Sequence, residues 1–100
     1  MPLTELESQL RVIARARIAK GELPCLEPPL RMWGGHGSGK GCVVCDKTIE
    51  ATDVEIEVEE TVEGARKVML FHTVCQSIWQ LECARVAYLK NHGKRPNLPG

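Results

Sequence analysis

Between Asp53 and Glu59 apolar and acidic residues alternate, Val54, Ile56 and Val58 against Glu55, Glu57 and Glu59. A period of two predicts a strand with one buried face and one solvated acidic face. Glu63-Gly64 supplies a turn, and Arg66 to Phe71 reads as the returning strand, with Arg66 and Lys67 placed to offset the glutamates. From Thr73 to Asn91 there is no Gly or Pro, and Val74, Ile78 and Leu81, with Trp79 and Val86, follow helical spacing until Asn91-His92-Gly93. At the other end, Leu3, Leu6, Leu10, Ile13 and Ala14 form the apolar stripe of an amphipathic helix. Thr4 and Glu7 fit a capping box at its start, and Gly21 and Pro24 close it. Arg11 and Arg15 lie one turn apart on another face, where solvated side chains are expected. Residues 24–41, with Pro24, Pro28, Pro29 and a glycine run, read as loop.

Composition bounds what such a chain can be. One hundred residues make one domain, and 43% hydrophobic residues with only Trp33, Phe71, Trp79 and Tyr88 as aromatics make a thin core. The 13 basic and 13 acidic residues cancel, but unevenly: residues 1–45 carry +2, 46–63 carry −7 and 64–100 carry +5. Such a balance gives no overall field toward nucleic acid or membrane. No apolar run approaches the roughly 20 residues of a membrane span. Glu5 and Glu7 break any secretory signal, so a cytoplasmic protein is expected.

The chemistry concentrates in Cys42-x-x-Cys45 and His72-x-x-Cys75, separated by 26 residues. A tight Gly-flanked turn lets the first pair face one ion, and residues three apart at a helix start share a face. The hairpin predicted between them returns the second pair to the first. Three thiolates and a neutral imidazole suit tetrahedral Zn²⁺ and close its coordination, which marks a structural ion rather than a catalytic one. Two other readings of the pair remain, a redox Cys-x-x-Cys and unliganded buried cysteines. Cys83 reads as core, Cys25 as a free loop thiol, His36 as part of a mobile glycine loop and His92 as a polar helix end. Gly34, Gly39 and Lys40 begin a phosphate-loop pattern, but Gly41 stands where a hydroxyl is needed, and no helix follows.

Knuckle, hairpin and helix come in the order of a treble clef. Cys42-x-x-Cys45, Val54 to Val58 and Leu70-Phe71-His72-x-x-Cys75-x-x-x-Trp79 resemble one zinc-binding half of a LIM domain, and still more the small bacterial one-zinc proteins. The resemblance covers roughly residues 33–82. It implies an α+β, treble-clef-like fold with an added N-terminal helix, one Zn²⁺ on Cys42, Cys45, His72 and Cys75, and Phe71 and Trp79 shielding the site. The gap between the pairs is longer than a LIM half has, and no second zinc set follows. The expected organisation is an N-terminal helix at 1–23, a Pro/Gly-rich loop at 24–41, a zinc-binding domain at 42–92 and a tail at 93–100.

No nucleophilic triad or paired-carboxylate pocket is legible, so a non-enzymatic role is expected. The first functional reading is a protein-interaction or regulatory module using the hairpin face of Glu55, Glu57 and Glu59, or the N-terminal helix with Arg11 and Arg15. Its partner is a protein, and a homodimer through the helix is an alternative. The second reading is a nucleic-acid-binding regulator using Arg11, Arg15, Arg17 and Lys20 with Arg85, Lys90, Lys94 and Arg95. The third is a thiol-based redox or metal sensor.

Overall fold

The computed structural model describes residues 4–26 and 30–92, His92 without its side chain. Leu3, Pro28, Pro29, Lys94, Arg95 and the 93–100 tail lie outside the described residues. The element order is α1 (Glu5–Ala19), β1 (Arg31–His36), β2 (Val54–Val62), β3 (Ala65–His72) and α2 (Thr73–His92). Among the described residues the architecture is therefore α+β, two helices and a three-stranded antiparallel sheet ordered β1-β2-β3. Among the described residues no helix is long and apolar enough to cross a membrane.

Local chemistry sets most boundaries. The Thr4 side chain accepts from the Glu7 amide at 3.1 Å, and the Glu7 carboxylate accepts from the Thr4 amide at 3.0 Å, completing the box that starts α1. Gly21 takes φ +77° just past the helix, the left-handed exit that glycine adopts at no steric cost. Glu63 and Gly64 both have positive φ between the paired Val62 and Ala65, the two-residue turn whose twist matches its strands. Ile56 pairs with Phe71 and Val58 with Met69, so these four share the inner face. Val58 and Phe71 are fully buried there.

β1 corrects the loop expected over 24–41. Arg31 through His36 pair antiparallel with Glu59 through Val54. The strand was hidden in the sequence because it is an edge strand with every residue exposed, so no burial period marks it, and Gly34-Gly35 lowers its strand propensity. It is anchored by the ladder and by Gln76 Nε2, which donates to Met32 Sδ at 3.3 Å. His36 thus ends a strand rather than sitting in a free loop.

Helix α2 packs on the sheet, and α1 packs on α2. Leu10 and Ala14 join Phe71, Ile78 and Trp79 in one core, while Leu6 and Ile13, expected in the buried stripe, are 54% and 37% exposed. Arg11 is half-buried and Arg15 exposed, as a helix-face cation would be, but neither is without a partner. Their Nε atoms lie 2.7 and 2.9 Å from the two carboxylate oxygens of Glu82, whose side chain is fully buried. Burial pushes the Glu82 carboxyl up, but hydrogen bonds from Arg15 and Arg11 outweigh it and hold the group below its ordinary value. Arg15 is correspondingly raised by its bond to Glu82.

A second correction concerns the remaining cysteines. Cys25 and Cys83 form a disulfide, with Cα atoms 5.4 Å apart across 58 positions of sequence. Closing a loop of that length is worth about 4 kcal/mol in the chain-entropy account. The bridge fastens the segment after α1 to the middle of α2, and next to it the Trp79 indole N–H donates to the Pro24 carbonyl at 2.8 Å.

Two outcomes test this packing. A Cβ at Gly37 would lie 1.8 Å from the Glu50 carbonyl oxygen, so Gly37→Ala is expected to destabilise by about 3 kcal/mol in a denaturant titration. Glu82→Gln should cost about 2 kcal/mol by losing charge-assisted bonds. Because the folded carboxyl is lowered, the stabilisation from Glu82 is present above the ordinary carboxylate pKa and lost as pH falls through the folded value. The difference between wild type and Glu82→Gln should therefore shrink in acid.

Candidate metal centre

The first two thiols come from a turn held by its own backbone. Cys42 N–H donates to Lys47 O at 3.0 Å and Asp46 N–H to Cys42 O at 2.9 Å. Asp46 closes the turn at φ +64°, a left-handed conformation that aspartate tolerates better than most side chains. Arg17 of α1 pairs with the Asp46 carboxylate. A bridge between Gly41 and Thr48 closes the base of the turn, and Val43 N–H donates to Leu70 O at 2.9 Å. The turn is thus fastened directly to β3, the strand that ends in His72.

The second pair spans the junction of β3 and α2. With Phe71 turned into the core, the alternation of the strand sends His72 the other way. Cys75 follows on the first turn of α2, 1% exposed. The candidate ligand atoms of Cys42, Cys45, His72 and Cys75 all lie within 4.8 Å of one another. Four ligands about 2.0–2.3 Å from one tetrahedral centre are separated by roughly 3.3–3.8 Å, so the cluster is close to the required size. These residues can hold one metal ion.

Hydrogen bonding sets the histidine tautomer. Nε2 lies 3.2 Å from the Thr48 carbonyl oxygen, which can only accept, and 3.8 Å from Asp53 Oδ2. Nε2 therefore carries the proton, and Nδ1, 3.4 Å from Cys45 Sγ, turns its lone pair into the cluster. A ligating histidine held by a carbonyl on its far nitrogen is the usual support for a bound metal.

The thiols are electrostatically unequal. Cys42 is drawn down to about 4, foremost by a hydrogen bond from Cys75, against desolvation, and further by the amides of Cys45, His72 and Val44. Cys75, donating to Cys42, is pushed up, with burial adding to the effect. Cys45 is raised chiefly by burial. Three amides aimed at the Cys42 sulfur favour negative charge there, while the other two thiols share the cost of burial.

The other expected residues fall out differently. Phe71 and Trp79 pack on each other with ring centroids 5.0 Å apart, both buried. Glu55, Glu57 and Glu59 do share the face opposite Val58, but they are half-buried rather than freely solvated. Glu55 accepts from the Ser38 hydroxyl at 2.6 Å, and Glu59, 13% exposed, pairs with Arg31 and Arg66. Arg66 also lies 5.9 Å from the Trp33 ring centroid. The sequence reading missed Glu82 and the disulfide, and both left a signal. Glu82 is the lone acid in residues 64–100, and assigning three of the five cysteines to a metal leaves an even pair.

No protein-family model, curated protein or solved structure matches the chain.

His72→Ala should weaken metal binding by at least about a hundredfold, more than loss of an outer hydrogen bond does, in competition with a chromophoric chelator. Binding should also weaken as pH falls, because protons compete for the thiolates and the imidazole. Unchanged affinity in the variant would place the ion elsewhere.

Proposed function

We propose that this chain is a treble-clef-type zinc protein in which one structural Zn²⁺ on Cys42, Cys45, His72 and Cys75 supports a surface for protein recognition. The observation that carries the reading is the convergence of these four ligand atoms within 4.8 Å. The observed order of knuckle, hairpin and helix agrees with it. Zinc is favoured because the donors are three sulfurs and one imidazole, and four protein ligands leave no position for an activated water. The ion's role is thus architectural, and the protein is not an enzyme.

The recognition surface is the outer face of the sheet. Trp33 and Val68 are 48% and 41% exposed there, with Arg66 against Trp33 and Glu55, Glu57 and Glu59 beside them. Exposed tryptophan and arginine are the side chains most often dominant in protein interfaces. The nucleic-acid reading is weakened, since Arg11 and Arg15 are committed to Glu82 and Arg17 to Asp46. Structural zinc also accounts for the coexistence of one disulfide with three neighbouring reduced thiols, because a bound ion protects its sulfurs from pairing.

Trp33→Ala tests the surface without touching the metal. Compared with wild type in affinity capture from the native host, the zinc-loaded variant should keep its metal and melting temperature while losing the co-purifying protein. Equal capture by both proteins would remove this face from the proposal, and a salt-sensitive shift of DNA or RNA would favour nucleic acid instead.

A further inference from the structure

The three sulfurs of the cluster differ in access. Cys42 and Cys75 are each 1% exposed, whereas Cys45 is partly exposed. Cys45 lines a cavity of about 410 Å³ beside the cluster, walled mainly by Leu6, Leu10, Val54 and Val74, with Lys47 and Asp53 as its charged residues. Leu6 and Val54 are each 54% exposed, so the cavity opens to solvent through apolar side chains. With four protein ligands the ion offers no coordination position to a visitor. His72 and Cys75 line the cavity as well, but Cys75 is buried, so the sulfur a small molecule can reach from it is that of Cys45.

Resting on the metal-centre reading above, we propose that Cys45 is a modification site, oxidised by a small apolar hydroperoxide that enters this cavity, and that its oxidation expels the zinc. The Cys45 thiolate attacks the terminal oxygen of R–O–O–H. The O–O bond breaks, a sulfenic acid forms on Cys45, and the alkoxide takes a proton and leaves as the alcohol. The thiolate of Cys42 or Cys75, both within 4.8 Å of the other ligand atoms, then attacks the Cys45 sulfur. An S–S bond forms and hydroxide leaves to become water. Two electrons pass from two sulfurs to the peroxide, and Zn²⁺ keeps its oxidation state. Only two ligands remain, so the ion is released.

The geometry sets the order of events. With all three sulfurs held by the ion, exposure decides which is oxidised first, so the accessible Cys45 reacts and a buried sulfur resolves it. The apolar walls favour an organic hydroperoxide over hydrogen peroxide. Cys25 and Cys83 take no part, because they are already joined.

The test uses the full zinc-loaded chain with the Cys25–Cys83 bridge intact, treated in parallel with cumene hydroperoxide and hydrogen peroxide. Released zinc is read with a chromophoric chelator, and sulfenic acid is trapped with dimedone and located by peptide mass mapping. The expected result is dimedone on Cys45. Without the trap, Cys45 should be bridged to Cys42 or Cys75, with one zinc released per hydroperoxide consumed and faster release by the cumene compound. Cys45→His, which keeps four ligands, should release zinc at least about tenfold more slowly, because the accessible sulfur is gone. First labelling on Cys42 or Cys75, a Cys42–Cys75 bridge, or zinc retained through the treatment would overturn the proposal, and so would equal release from a zinc-loaded Cys45→His. Should that variant fail to load zinc, dimedone mapping on the wild type decides alone. A chain that takes up no zinc before any peroxide is added overturns the metal-centre reading itself, a failure visible at the first step.

Discussion

One ion-sized volume must be reached by side chains from two segments 26 residues apart, and the β2–β3 register is what makes this happen. Glu55 pairs with His72 and Ile56 with Phe71. A slip of one residue would reverse every side chain of the strand, turning His72 into the core and Phe71 toward the thiols. The Val43 amide bonded to the Leu70 carbonyl holds the cysteine turn at the height on β3 where His72 departs. Thr48 then fixes the imidazole, so hairpin register, turn and helix start act together on the same few ångströms.

Helix α2 is the element on which the molecule is assembled, held at three points of different chemistry. Cys75 ties its first turn to the thiol cluster, Glu82 ties its middle to Arg11 and Arg15 of α1, and Cys83 ties the next position to Cys25. A chain with four aromatic residues has a limited apolar core, and such fastenings are how small domains compensate. The buried carboxylate also selects one docking of α1. Both of its oxygens are occupied by guanidinium groups, and a helix placed elsewhere would leave that charge unpaired in the interior.

How much was legible follows from the range of each interaction. The hairpin, both helices and the four clustered residues are written in local periods and spacings, and the Thr4–Glu7 box and the Glu63-Gly64 turn need only neighbouring residues. β1 was not legible, because its stability comes from pairing with a strand some 20 positions away and its own Gly34-Gly35 argues against it. The Cys25–Cys83 bridge and the arginine pair on Glu82 join residues 58 to 71 positions apart, with no local pattern to announce them. Arg11 and Arg15 look like surface cations because the helical wheel shows where they point but not what approaches from α2.

The most direct measurement is X-ray absorption at the zinc edge on the purified, zinc-loaded chain. The account predicts a four-coordinate ion with three sulfurs at about 2.3 Å and one nitrogen at about 2.0 Å, and no additional oxygen shell. A first shell of oxygen and nitrogen donors, or fewer than three sulfurs, would show that the thiol cluster does not enclose the ion and would contradict the account at its centre.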